Sequence, residues 1–143
     1  MEKKSSALLI KNINDYMTKD SNNQLRKVDL TMAQVEVLSY LIFSEGYSRS
    51  LKEIEHHLSV AQSTAAGIVK RLETKKFVSS YVSQDDKRKK MVVLTDKGIE
   101  YSSVARANMD AAEEMLLHNL TDEEKEIFYQ LLVKINQGLN LSV

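Results

Sequence analysis

Apolar residues recur at helical spacing through most of this chain, and one β-rich stretch interrupts them. Leu9, Ile13 and Tyr16/Met17 form a stripe with Ile10 beside it, which predicts a first helix over about Ser5 to Lys19. The polar run Asp20-Ser21-Asn22-Asn23 is read as its end. A second helix begins at Thr31, where Thr31-x-x-Gln34 forms a capping box. Val35, Leu38 and Ile42 are its expected buried face, and Gly46 closes it or sits in the following turn. Ser50-x-x-Glu53 is another capping box and opens a short helix with Leu51, Ile54 and Leu58 inward. After a turn at Ser59-Val60, a further helix starts near Gln62-Ser63-Thr64. Its Ala65, Ile68, Val69 and Leu72 follow the i, i+3, i+4, i+7 pattern. Phe77 to Ser83 and Met91-Val92-Val93-Leu94 predict two strands of a hairpin, with the charged tip Gln84-Asp85-Asp86-Lys87-Arg88-Lys89-Lys90 between them. Thr95 caps a long helix over about Asp96 to Asn119. Thr121-x-x-Glu124 starts the last one, which carries Ile127, Phe128, Leu131, Leu132, Ile135 and Leu139.

Charge sharpens this picture. The chain has 143 residues, with 20 Lys+Arg against 20 Asp+Glu, so the net charge alone points to no polyanionic partner. The distribution does. Lys70, Arg71, Lys75, Lys76, Lys87, Arg88, Lys89 and Lys90 stand against only Glu73, Asp85 and Asp86, and the balance reverses between Asp110 and Glu126. A helix carrying cations beside a basic hairpin is how a protein offers one element to a DNA groove and a second to the flanking backbone. Ordinary solvated faces are the bland alternative, which the segregation of charge by element weakens.

Individual roles follow from side-chain chemistry. Gln62, Ser63, Thr64 and Arg71 sit where base-edge contacts would fall, since Gln can bond adenine and Arg guanine bidentately. Gly67 permits close approach of the helix to DNA. Lys70, Lys75, Lys87, Lys89 and Lys90 suit phosphates, although Lys75 and Lys76 serve equally as helix-end dipole partners. Arg88 is the choice for a narrow minor groove, because a guanidinium is weakly hydrated. Asp86 orients Arg88 or the loop, since a carboxylate beside phosphate is repelled.

Other chemistry finds little support. Cysteine is absent, which excludes disulfides and thiolate metal sites. The adjacent His56 and His57 lack zinc-ligand spacing, and His118 is remote, so no metal or cofactor is expected. There is no nucleophile triad, nucleotide-binding glycine loop or paired-carboxylate motif, and no case for an enzyme. No apolar run reaches membrane-spanning length, and Met1-Glu2-Lys3-Lys4 is not followed by a signal-peptide core, so a soluble cytoplasmic protein is expected. Proline is absent and glycine scarce, which leaves no flexible linker and implies a single domain. The terminal helices carry more Leu, Ile, Met and Phe than one small module covers, which implies packing against a second copy, with an internal helical bundle as the alternative.

The order of elements resembles the MarR family of bacterial winged-helix transcription regulators over essentially the whole chain. Asp86-x-Arg88 followed by Leu94-Thr95-x-x-Gly98 is similar to that family's wing signature. Leu30-Thr31-x-x-Gln34 with Leu38 resembles its second-helix motif, and Ser63-Thr64 with Leu72-Glu73 its recognition-helix motif. The resemblance implies a mostly α fold with a small β-hairpin wing. A winged helix-turn-helix lobe would occupy about residues 31–99, with dimerisation helices at about 1–30 and 100–143. It further implies a homodimer that represses by placing its recognition helices in a palindromic operator on double-stranded DNA, with half-sites roughly 10 bp apart. Location at the bacterial nucleoid follows from that role. Release by a small aromatic or lipophilic effector is also implied. Tyr16, Tyr40, Phe43, Tyr47 and Tyr101 are the aromatic residues to inspect for an effector pocket, with plain core as the alternative. The chain departs from the family at Lys76, usually a glycine, and at Ser80, usually an arginine that braces the wing aspartate. Rival readings are a non-enzymatic winged-helix adaptor and a non-specific DNA-binding protein.

Overall fold

The computed structural model describes residues 4–141, so Met1-Glu2-Lys3 lie outside the described residues. The element order is α1 (Ser6–Val28), α2 (Met32–Ile42), a 3-10 turn (Glu45–Tyr47), β1 (Ser48–Ser50), α3 (Leu51–Leu58), α4 (Gln62–Thr74), β2 (Val78–Val82), β3 (Lys90–Leu94), α5 (Asp96–Leu117) and α6 (Asp122–Gly138). The chain forms two compact units, Met1–Ser102 and Ser103–Val143, divided within α5.

The first helix corrects the sequence reading. It does not stop at Asp20-Ser21-Asn22-Asn23 but runs on to Val28, and Asp29 ends it in the left-handed region at φ 53°. Serine and asparagine cost a helix only some tenths of a kcal/mol per residue. That is too little to break α1 when Leu25 can still pack on the core, and Arg26 and Lys27 suit the negative end of the helix dipole.

α2 lies at the centre of the first unit, touched by α3, α4, β1 and β3. Its capping box is complete. Thr31 Oγ1 accepts from the Gln34 amide at 3.2 Å, and Gln34 Oε1 accepts from the Thr31 amide at 3.1 Å. With neighbours on several sides, its buried face is broader than expected and differently phased. Val37, Leu38 and Leu41 are inside, while Val35 and Ile42 are only partly covered. Gly46 falls in the 3-10 turn after α2, at φ 61°. α3 begins with the second expected box, with Ser50 Oγ accepting from the Glu53 amide at 3.1 Å and Glu53 Oε2 from the Ser50 amide at 2.7 Å. α4 buries Ala65, Ile68, Val69 and Leu72, the four positions its periodicity marks.

The expected hairpin is part of a three-stranded antiparallel sheet of order β1-β3-β2. Ser80 pairs with Val92 and Val82 with Lys90 across the hairpin, while Ser48 pairs with Val93 across the added edge. β1 escapes a sequence reading because Ser48-Arg49-Ser50 has no β-branched or aromatic residue. Val78, Val92 and Leu94 complete the core over which α2 and α4 close. The sheet then feeds α5 through a tight contact. Thr95 Oγ1 accepts from the Gly98 amide at 3.2 Å, and a Cβ at Gly98 would stand 2.2 Å from the Phe77 carbonyl oxygen. Only glycine fits there.

In the second unit, α6 starts at the third capping box, with Thr121 Oγ1 accepting from the Glu124 amide at 3.2 Å and Glu124 Oε2 from the Thr121 amide at 2.8 Å. Neither α1 nor α6 buries a single residue. Leu8, Leu9 and Ile10 on α1, and Ile127, Leu131, Ile135 and Leu139 on α6, are exposed.

Candidate nucleic-acid interface

The core face of α4 fixes what its other face presents. Since Ala65, Ile68, Val69 and Leu72 point inward, Gln62, Ser63, Thr64, Lys70 and Arg71 are left in solvent. Ala61 caps the helix without a side-chain hydrogen bond, so the first turn of α4 keeps unsatisfied amides at its positive end. Gly67 is half-buried, and the space a Cβ there would fill is open.

The wing tip is ordered by Asp86. Its Oδ1 accepts from the Arg88 amide at 3.0 Å, and its carbonyl accepts from the Lys89 amide at 2.9 Å. Lys89 in turn accepts from the Ser83 amide, closing the loop. This is an Asx turn, in which a short carboxylate replaces a backbone acceptor. The same Oδ1 lies 3.5 Å from Arg88 Nε, while the Arg88 side chain is 94% exposed. The guanidinium is therefore anchored at its base and free at its end. Lys87 and Lys89 are exposed beside it.

The two departures from the MarR pattern resolve differently. Lys76 adopts the left-handed conformation at φ 66° despite its side chain. The Phe77 amide bonds the Leu72 carbonyl and the Lys76 amide the Glu73 carbonyl, which is a Schellman ending to α4. Ser80 does not meet Asp86. Its hydroxyl donates instead to Glu73 Oε1, which also lies 3.9 Å from Lys90 Nζ. Lys75 turns away from the basic face. Its ammonium donates to the Asp29 carbonyl and, at 3.3 Å, to Gln34 Oε1, with Asp29 Oδ2 3.7 Å away. That engagement takes it out of the set of free phosphate ligands.

The five aromatic residues are not brought together. Tyr40 stacks on His57 and lines an open groove with α3, Gln62 and the wing residues Asp86, Arg88, Lys89 and Lys90. Tyr101 meets Phe77 edge to face at 5.5 Å, and its burial raises its pKa. Tyr16, Phe43 and Tyr47 are exposed. Sequence reasoning missed Arg49, which donates to Ser44 Oγ at 2.8 Å and to Glu53 Oε1 at 3.3 Å. It also missed the joint role of Glu73 and Ser80. Neither had a local signature, because each depends on a partner brought in by the fold.

Comparison with known proteins finds transcriptional regulators. Residues 20–104 match the family described as transcriptional regulator SarA/Rot. The chain is 35% identical to the uncharacterised HTH-type transcriptional regulator YwoH of Bacillus subtilis, over 80% of this chain and 82% of that protein. It is 26% identical to YybA, another such regulator of the same organism, over 83% and 78%. Among solved structures it resembles MepR, a transcription regulator of the Staphylococcus aureus multidrug efflux pump MepA, with a TM-score of 0.80 and 26% identity over 95% of this chain and 99% of MepR. A MepR–DNA complex aligns with a TM-score of 0.72 at 26% identity over 96% and 99%. MepR bound to ethidium bromide aligns at 0.76, with 26% identity over 95% and 97%.

Proposed function

The chain belongs to the SarA/Rot transcriptional-regulator family, a MarR-like winged-helix group, and from that premise we propose that it is a homodimeric repressor acting on a palindromic operator. The observation that carries this reading is the pairing of an exposed polar first turn on α4 with a wing tip whose arginine is anchored by Asp86 and otherwise free.

In this reading α4 enters the major groove with Gln62, Ser63, Thr64 and Arg71 toward base edges, and Gly67 lets the helix backbone come close. Arg88 reaches the adjacent minor groove, and Lys70, Lys87, Lys89 and Lys90 face phosphates. The MepR–DNA complex supports the assignment of duplex DNA as the partner. The exposed apolar stripes of α1 and α6 support a second copy as the other partner, because such faces are stable in water when covered. Repression is relieved by a small aromatic or lipophilic effector, a reading supported by the ethidium complex of MepR. The protein works in the cytoplasm, where the nucleoid lies.

Selection from random duplex DNA with the intact protein, run in parallel with Arg88→Ala, tests the proposal. The wild type is expected to enrich a palindrome, and the variant to bind it about 1–3 kcal/mol more weakly while remaining dimeric. Recovery of no motif would favour an adaptor or a non-specific binder.

A further inference from the structure

Glu73 is an unfavourable residue for its position. It sits in the last turn of α4, where the helix dipole disfavours a carboxylate, and amid the cations of the wing and α4. Its side chain is only 30% exposed. What holds it there is the wing. One oxygen, Oε1, accepts the hydroxyl of Ser80 on β2 and lies 3.9 Å from the ammonium of Lys90 on β3. A single carboxylate oxygen thus ties both strands of the hairpin to the end of α4.

We propose that Glu73 is a positioning residue for DNA binding, setting the angle between α4 and the wing and through it the reach of Arg88. This rests on the reading of α4 and the wing as the DNA interface. The lever is steep. Ser80 to Ser83 alone spans about 10 Å of strand, so a tilt of about 6° at Ser80 displaces the tip by at least ~1 Å, and an error of that size is enough to loosen a bound site. Lys90, drawn to Glu73, helps set the wing's pose in the free protein.

Charge and position predict opposite signs here, which makes the test sharp. Deleting a negative charge beside a polyanion tightens binding if charge alone matters. Deleting the tie loosens it. Five full-length proteins are compared on the selected duplex: wild type, Glu73→Ala, Glu73→Gln, Arg88→Ala and Glu73→Ala combined with Arg88→Ala. Glu73→Ala is expected to weaken binding about fivefold to tenfold. Glu73→Gln retains most of the affinity, because its amide oxygen still accepts from Ser80. In the Arg88→Ala background, Glu73→Ala changes affinity less than about twofold, since the contact it positions is already gone. Hydrogen exchange gives a readout without DNA. The Ser83 and Lys89 amides should exchange faster in Glu73→Ala, with the α4 amides unchanged. Should that variant fail to fold, Ser80→Ala removes the same hydrogen bond and carries the same expectations. Unchanged or tighter binding, an equal loss with Arg88 absent, or unaltered wing exchange each overturns the proposal. If the wild type binds no duplex, the DNA reading fails, while the exchange result still decides whether Glu73 holds the wing.

Discussion

The rings of Tyr40 and His57 lie face to face, with centroids 4.0 Å apart and planes 1° from parallel. The pair joins α2 to α3, and two charged groups frame it. Glu36 Oε1 is 3.7 Å from His57 Nε2, and the Arg49 guanidinium carbon stands 5.4 Å from the Tyr40 ring centre. A stacked pair with a neighbouring cation is stabilising beyond its buried area. Tyr40→Ala is expected to destabilise the fold by about 1–2 kcal/mol in urea unfolding, and Tyr40→Phe by much less. An equal loss in both variants would show that the hydroxyl, rather than the ring, is what matters.

Lys76 holds a backbone conformation that suits glycine. Left-handed geometry costs a residue with a Cβ roughly 1–2 kcal/mol. Relieving it is offset by the greater freedom glycine has in the unfolded chain. Lys76→Gly is therefore expected to stabilise the protein by a net ~1 kcal/mol or less. Thermal and chemical melts check this, and a lower midpoint would mean that the lysine side chain contributes more than its strain removes.

Gly67 separates stability from recognition. Nothing lies within 4 Å of where its Cβ would be, so Gly67→Ala should improve α4 by up to about 1 kcal/mol in the free protein. If the helix backbone approaches DNA there, the same methyl group weakens operator binding. A rise in melting temperature together with a loss of affinity is the expected result. Higher stability with full affinity would remove Gly67 from the interface.

Glu53 gives the fold an acid limit. Its carboxylate accepts the Ser50 amide and lies beside Arg49, and these interactions hold its pKa below the ordinary 4.5 despite partial burial. The folded pKa is thus below the unfolded one. The group contributes stability above pH 4.5, and that contribution fades as pH falls from 4.5 through the folded value. Glu53→Gln should lower stability at pH 7 and flatten the acid limb of the stability profile. A variant with an unaltered acid limb would place the pH dependence elsewhere.

What the sequence reveals is what short-range chemistry determines. The boxes at Thr31, Ser50 and Thr121 appear where their spacing puts them, because each needs only residues three apart. The i, i+3, i+4 register of α4 is legible for the same reason, and through it the exposed residues of the candidate interface. Errors arise where tertiary contacts decide. α1 runs through a polar stretch because Leu25 reaches the core, and β1 forms from Ser48-Arg49-Ser50 because β3 offers it an edge. The phase of α2 follows from how many elements surround it. The link from Glu73 to Ser80 and Lys90 spans the hairpin, and no local pattern announces it.

Lys75 joins three helix ends at one point. Its backbone caps α4, while its ammonium reaches the terminal carbonyl of α1 at Asp29 and the capping glutamine of α2. A single ammonium thus holds the C-terminal ends of α1 and α4 and the first turn of α2 together.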